Sequence, residues 1–418
     1  MTETVDVSQL RVGMFVHLDV GWMSHPFPLS SFKIASAEQI QTIQGLGLKQ
    51  LRWSPERSDP APVSLELPAH TAAAEEAPAP DPAELARRER AARLEAQLDA
   101  MRQCERQFSE ACRDLRRIND CVQGEPEQAR EATRQLSQAL MDKMLVDGEL
   151  CVRVLGEQQG DRLSAHVMNV TVISMLLGKA LGFDAEEMMA LGSGALLHDV
   201  GKLSLPDRLR LGHDNFSAAE QQHYREHVAL GVAQGRRMGL TPQVLLVIAQ
   251  HHELADASGY PSGVGLDKIS TAARVVSMVN HYDNLCNAAS VAQSLTPHEA
   301  LSRMFAHARG KFDAVMLNAF IRLMGIYPPG SIVQLSDDRL AMVMSVNSAR
   351  PLKPRVLVMD AGVPSEQALH LDLEQVPDLG IRRSLRSDQL PGRALEYLAP
   401  RKRLAYFFDV ESPALEQA

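Results

Sequence analysis

Between about residues 127 and 326 the apolar side chains recur with helical spacing almost throughout, broken only by short polar stretches. A period near 3.6 gives each helix one apolar stripe that must be buried on its neighbours, so this region is committed to a packed helical bundle. Histidine is crowded into the same region, with ten of the 14 falling between His166 and His307. Several of these lie where a helix would aim them inward. His166 shares a stripe with Val170, Ile173, Leu177 and Leu181, and His198-Asp199 ends the apolar run SGALLHD, with Gly201 as the helix stop. His227 follows Ser217, whose partner Glu220 completes a capping box, and His251-His252 follows VLLVIAQ, on the stripe of Val244 and Val247.

Taken singly, each such histidine reads as a hydrogen-bonded core residue. Taken together they do not, because five imidazoles and one carboxylate buried without partners would be unfavourable, and divalent cations would remove that cost. Two metals sharing the Asp199 carboxylate would make a two-metal hydrolase site, in which a bridging hydroxide attacks phosphorus in line. Lys202 could neutralise developing phosphate charge or protonate a leaving oxygen; on spacing alone it is equally an ordinary exposed lysine.

HDVGKLSLP (198–206), the single His227 in the next helix, HHELADASGYP (251–261) and the helix after it resemble the HD-GYP branch of the HD phosphohydrolase superfamily, over about residues 145–330. The residues before the linker also resemble the small domain that commonly precedes such modules in bacteria. The resemblance implies an all-helical domain holding divalent metal ions and hydrolysing cyclic di-GMP to pGpG and onward to GMP. It assigns His166, His198, Asp199, His227, His251 and His252 as metal ligands, Asp199 as the bridge, and Lys202 as the lysine near the scissile phosphate. It makes Gly259, Tyr260 and Pro261 the signature loop, linked to loop shape and to a protein partner. Asn280 stands where the last aspartate ligand is usual; an amide carbonyl can coordinate, with one negative charge fewer. Asp283 then matches a structural acid. Ala257 replaces a usual glycine, which reads as a mild change. Arg162 stands where three-metal members carry a glutamate, so two ions are expected, and the set Fe, Mn, Ni and Zn is left undivided. The stretch NAASVAQSLTP lacks the usual substrate-gripping arginine and lysine, and Ala289 and Ala292 cannot hold a phosphate.

The rest of the chain sets the frame. Its 418 residues suggest two or three domains. The expected architecture is multidomain and mainly α, with an HD-type helical core. Residues 1–57 form a small α/β domain, 58–82 a Pro/Ala-rich linker, 83–144 a long charged helix, 145–326 the helical core and 327–418 a β-rich tail. In the long helix, Leu94, Leu98, Met101, Glu105, Phe108, Cys112, Leu115, Asn119 and Val122 follow a 4-3 spacing. That is either the seam of a homodimeric coiled coil through residues 94–122 or the packing face of a helix on its own chain. A net charge of -9 argues against a nucleic-acid polymer or an anionic membrane as partner. With no apolar run of 18 residues, no signal-peptide pattern and five cysteines without CxxC, a soluble cytoplasmic protein with reduced thiols is expected. The two functional readings are a metal-dependent cyclic di-GMP phosphodiesterase and a catalytically weak effector that binds the same nucleotide in the same pocket.

Overall fold

The structure, a computed structural model, describes residues 2–20, 25, 27, 31–59, 82–145, 150–156, 161–210, 216–307, 309–347 and 349–410. Nearly all of the expected linker lies outside the described residues, as does His213. The chain divides into two compact units between Ala96 and Gln97.

In the first unit, β1 (Glu3–Asp6), β2 (Phe15–His17), β3 (Ser31–Lys33), α1 (Ala37–Gly45) and β4 (Gln50–Trp53) form an antiparallel sheet of order β1-β4-β2-β3 with one helix. Ser36 caps α1 by accepting from the Gln39 amide, and the Gln39 side chain accepts from the Ala35 amide. Val16, Ile34, Ile43 and Leu51 make its core. The strand β1 has no counterpart in the sequence reading, since ETVD carries little apolar signal.

The long helix α2 (Pro82–Cys121) spans the division and is followed by α3 (Pro126–Met144), β5 (Leu150–Val154), α4 (Arg162–Ala180) and α5 (Ala185–Leu197). Then come α6 (Asp207–Arg210), α7 (Ala218–Arg225), α8 (His227–Met238), α9 (Pro242–Gln250), α10 (Thr271–Cys286), α11 (Pro297–His307) and α12 (Ala314–Met324). The C-terminal part holds β6 (Ile332–Leu335), β7 (Leu340–Asn347), β8 (Arg355–Val358), β9 (Leu371–Asp372), β10 (Ile381–Leu385), α13 (Gly392–Leu398) and β11 (Tyr406–Val410).

At the centre, α4 packs on α5 and α10, and α5 on α9. The GSG of α5 allows this approach: a Cβ on Gly194 would lie 2.6 Å from Val247. By length and composition α4 could cross a membrane, but 72% of its most apolar window is buried inside the protein, as in a core helix. From Phe108 to Val122 the apolar seam of α2 is buried within its own unit, Phe108 edge-on to Phe407, and Glu105 accepts from the Gly156 amide at 3.0 Å. That stretch follows the own-chain alternative.

The helical pattern hides one strand. β5 lies inside the span expected to be helical and is paired on both sides, with β7 and β11, in a sheet of order β10-β6-β7-β5-β11. The C-terminal strands are therefore joined to the helical core through β5. Segment 403–406 is also tied to α4 and α10: Asn169 and Asn287 both donate to the Leu404 carbonyl, and Asn169 accepts from the Tyr406 amide.

Candidate metal centre

Three histidines of the cluster, His198, His227 and His251, are aimed by a local hydrogen bond. His198 caps α5, His227 opens α8 and His251 caps α9. Their Nδ1 atoms contact the carbonyls of Ala195, Tyr224 and Ile248 at 2.7, 2.7 and 2.8 Å. A carbonyl only accepts, so each Nδ1 carries the proton and each Nε2 carries the lone pair. The capping box at Ser217 and Glu220 forms as the sequence indicates, but the helix it opens ends at Arg225, so His227 starts a new one. His166, on α4, presents Nδ1 to Asp283 Oδ2 at 2.6 Å.

The lone pairs converge on Asp199. Its Oδ1 lies 3.6 Å from His227 Nε2 and 3.7 Å from His251 Nε2, and its Oδ2 lies 3.4 Å from His198 Nε2 and 3.7 Å from His166 Nε2. His227 and His251 face each other through Nε2 at 3.3 Å. With both protons committed to carbonyls, that contact sets two acceptors against each other and is relieved only by a cation. Asp199 Oδ1, His198 Nε2 and His252 Nε2 are buried without a hydrogen-bond partner. Burial, opposed by Asp199, lowers His227 to about 4, and burial with neighbouring imidazoles holds His251 and His252 well below their ordinary value. Neutral nitrogens and one carboxylate are the donor set that borderline divalent metals take. Donor atoms fall into two groups within 4.8 Å, Asp199 with His227, His251 and His252, and Asp199 with His166 and His198.

Lys202 donates to Asp199 Oδ2 at 2.5 Å and lies over the Tyr224 ring. Asn280 is buried on α10, and its side-chain carbonyl accepts from Asn284 Nδ2 at 2.7 Å. Tyr260 stacks on His252 with ring centroids 4.5 Å apart, and Arg225 covers its ring. Buried Glu253 pins the signature loop, accepting from the amides of Ser262 and Val264, and a Cβ on Gly259 would lie 2.5 Å from the His252 carbonyl. His223 is exposed beside Glu226 and outside the cluster.

Ala257 corrects the sequence reading. Its φ of 61° lies in the left-handed region, where a Cβ is strained, so the replacement of glycine there is not mild. Ala257→Gly should stabilise the protein by about 0.5 to 1 kcal/mol, read as a rise in the denaturation midpoint.

Asp283 does more than a structural acid. Fully buried, it orients His166 and also accepts from Asn169 and Asn287. Asn169 lies one turn after His166 on α4, a spacing that marks one face but did not identify the pairing. Asp283→Asn should weaken metal affinity by about 10- to 100-fold, measured by competition with a chromogenic chelator. Unchanged affinity would show that His166 binds no metal.

A cavity of about 310 Å³ opens against the cluster at His166 and Lys202. Its wall includes Tyr224, Phe216, Arg162 and, from the C-terminal segment, Arg403.

Residues 150–316 match the HD domain family, and residues 2–133 match a domain of unknown function, DUF3391. The chain is 28% identical over 410 residues to Cyclic di-GMP phosphodiesterase PA4108 of Pseudomonas aeruginosa, covering 94% of this chain and 92% of that one. It is 28% identical over 161 residues to Cyclic di-GMP phosphodiesterase response regulator RpfG of Xanthomonas campestris, covering 38% of this chain and 43% of that one. Among solved structures, Bd1817 of Bdellovibrio bacteriovorus, described as an HDG"Y"P protein, is similar at 16% identity with a TM-score of 0.41, covering 77% of this chain and 98% of that one.

Proposed function

We infer, from the HD-domain match over residues 150–316 and the similarity to a cyclic di-GMP phosphodiesterase over 94% of the chain, that the protein is a metal-dependent phosphodiesterase of cyclic di-GMP of the HD-GYP kind. The observation that carries the reading is the convergence of four imidazole Nε2 atoms on the two oxygens of Asp199. We propose two divalent ions, one held by Asp199 with His166 and His198, the other by Asp199 with His227, His251 and His252. Bound there, they supply Lewis-acid stabilisation of the phosphoryl oxygens and activation of water. The protein's own part is to hold the imidazoles neutral and aimed, through the Ala195, Tyr224 and Ile248 carbonyls and Asp283. Lys202 lines the cavity and holds Asp199 Oδ2, and in this reading its ammonium would offset the charge that builds on the phosphate. Asn280, buried on α10, would add to these ligands only through the second lone pair of its side-chain carbonyl, since Asn284 donates to the first.

A homodimer through residues 94–122 would have to use surface other than the seam of Phe108–Val122, which its own chain covers. A protein partner at the signature loop remains part of the proposal, supported by the exposure of Pro261.

The test uses anaerobically purified protein, quantified for metals and incubated with cyclic di-GMP, with products resolved by chromatography. About two metals per chain with pGpG or GMP formed is the expected result. Tight binding without product across added iron, manganese and nickel would favour the effector reading, for which the charge lost at Asn280 is the motive.

A further inference from the structure

The stretch NAASVAQSLTP that follows α10 carries no cation to grip a substrate, yet the fold brings one there. Arg403 donates through Nη1 to the carbonyls of Asn287 and Ala288, at 3.4 and 3.0 Å, and through Nη2 to Ala289 at 3.1 Å. Ala289 is one of the two alanines that leave this stretch unable to hold a phosphate. Three bonds leave two of the five guanidinium N–H groups for another acceptor. Asn287 fixes the backbone beside Arg403 by accepting from the Leu404 amide at 2.8 Å, so the side chain starts from a held position.

Arg403 lines the cavity beside the metal cluster together with Arg116, Arg162, Lys202 and Arg210; among the described residues the acid in that wall is Asp161. The Asp161 carboxylate is engaged in capping α4, accepting from the Leu163 and Ser164 amides and the Ser164 hydroxyl. Burial and the like charge of Arg162 push Arg403 below its ordinary value, with Asp283 opposing. Arg162 and Arg403 both line this cavity, so an anion bound there meets two guanidinium groups.

Resting on the phosphodiesterase reading, we propose that Arg403, with Arg162 in the same cavity wall, binds the second phosphodiester of the cyclic dinucleotide, the one not being cleaved. A cyclic dinucleotide carries two phosphodiesters, and with one at the Asp199 cluster the other needs a cationic partner in the adjoining cavity. The C-terminal segment thereby supplies a substrate-binding group that the helical core lacks.

The test compares wild type, Arg403→Gln and Arg403→Lys for metal content, for the Kd of cyclic di-GMP by calorimetry, and for KM and kcat. Glutamine can still donate to the carbonyls but carries no charge, whereas lysine keeps the charge. Arg403→Gln should raise Kd and KM by about 10- to 100-fold, with kcat falling much less and metal content unchanged. Arg403→Lys should recover most of that affinity. Unchanged Kd in Arg403→Gln would overturn the proposal, as would equal losses in both variants or a parallel loss of metal, which mark a structural role. A wild type that binds no cyclic di-GMP would sink the phosphodiesterase reading itself, and the clamp with it. Binding by wild type that Arg403→Gln fully retains would sink the clamp alone.

Discussion

Asp199→Ala should strip the protein of bound divalent metal and lower hydrolysis of cyclic di-GMP by about 10³-fold or more. The size of the effect follows from position. One carboxylate oxygen faces His227 and His251, the other His166 and His198, so a single side chain joins both sets of lone pairs. Removing it leaves neutral imidazoles with no charge to hold a dication. Asp199→Asn keeps the shape and should be nearly as inactive, which separates loss of charge from loss of packing. Metal content by mass spectrometry and turnover by chromatography are the readouts. Normal values for both in either variant would refute the bridging role.

Gly201→Ala should be the most damaging single-methyl change in the core. A Cβ there would lie 1.9 Å from the His227 carbonyl oxygen and 2.4 Å from the Gly231 amide nitrogen, both of them backbone. No rotamer relieves a clash with backbone, so α8 must move away from the segment Val200–Ser204. We expect a loss of about 3 kcal/mol or more by chemical denaturation. Because α8 carries His227, metal content should fall as well. Gly124→Ala, where a Cβ meets nothing within 4 Å, is the control and should stay within about 0.5 kcal/mol.

Local chemistry made much of this legible in the sequence. The capping box at Ser217 and the positions of His198 and His251 at the ends of apolar helical runs are written in neighbouring residues, and the structure places them accordingly. What escaped depends on distant partners. LCVRV is an apolar run too short to show a period, and it becomes a strand because β7 and β11, from far along the chain, pair with it. Asp283 reads as structural because its partner His166 lies 117 residues away. Arg403 lies 114 residues from the alanine it compensates, a juxtaposition that no local pattern encodes. Ala257 misled for the opposite reason: its neighbours look ordinary, and only the backbone angle reveals the strain.

The pairing of β5 bears on how the protein can be divided. Its five residues are all buried, and both of its edges are covered by strands that follow residue 326. A fragment ending with α12 would keep every histidine of the cluster and lose both neighbours of that strand. Its bare apolar edges would then be open to other copies, so such a fragment should precipitate or self-associate even with the chemistry of the cluster intact.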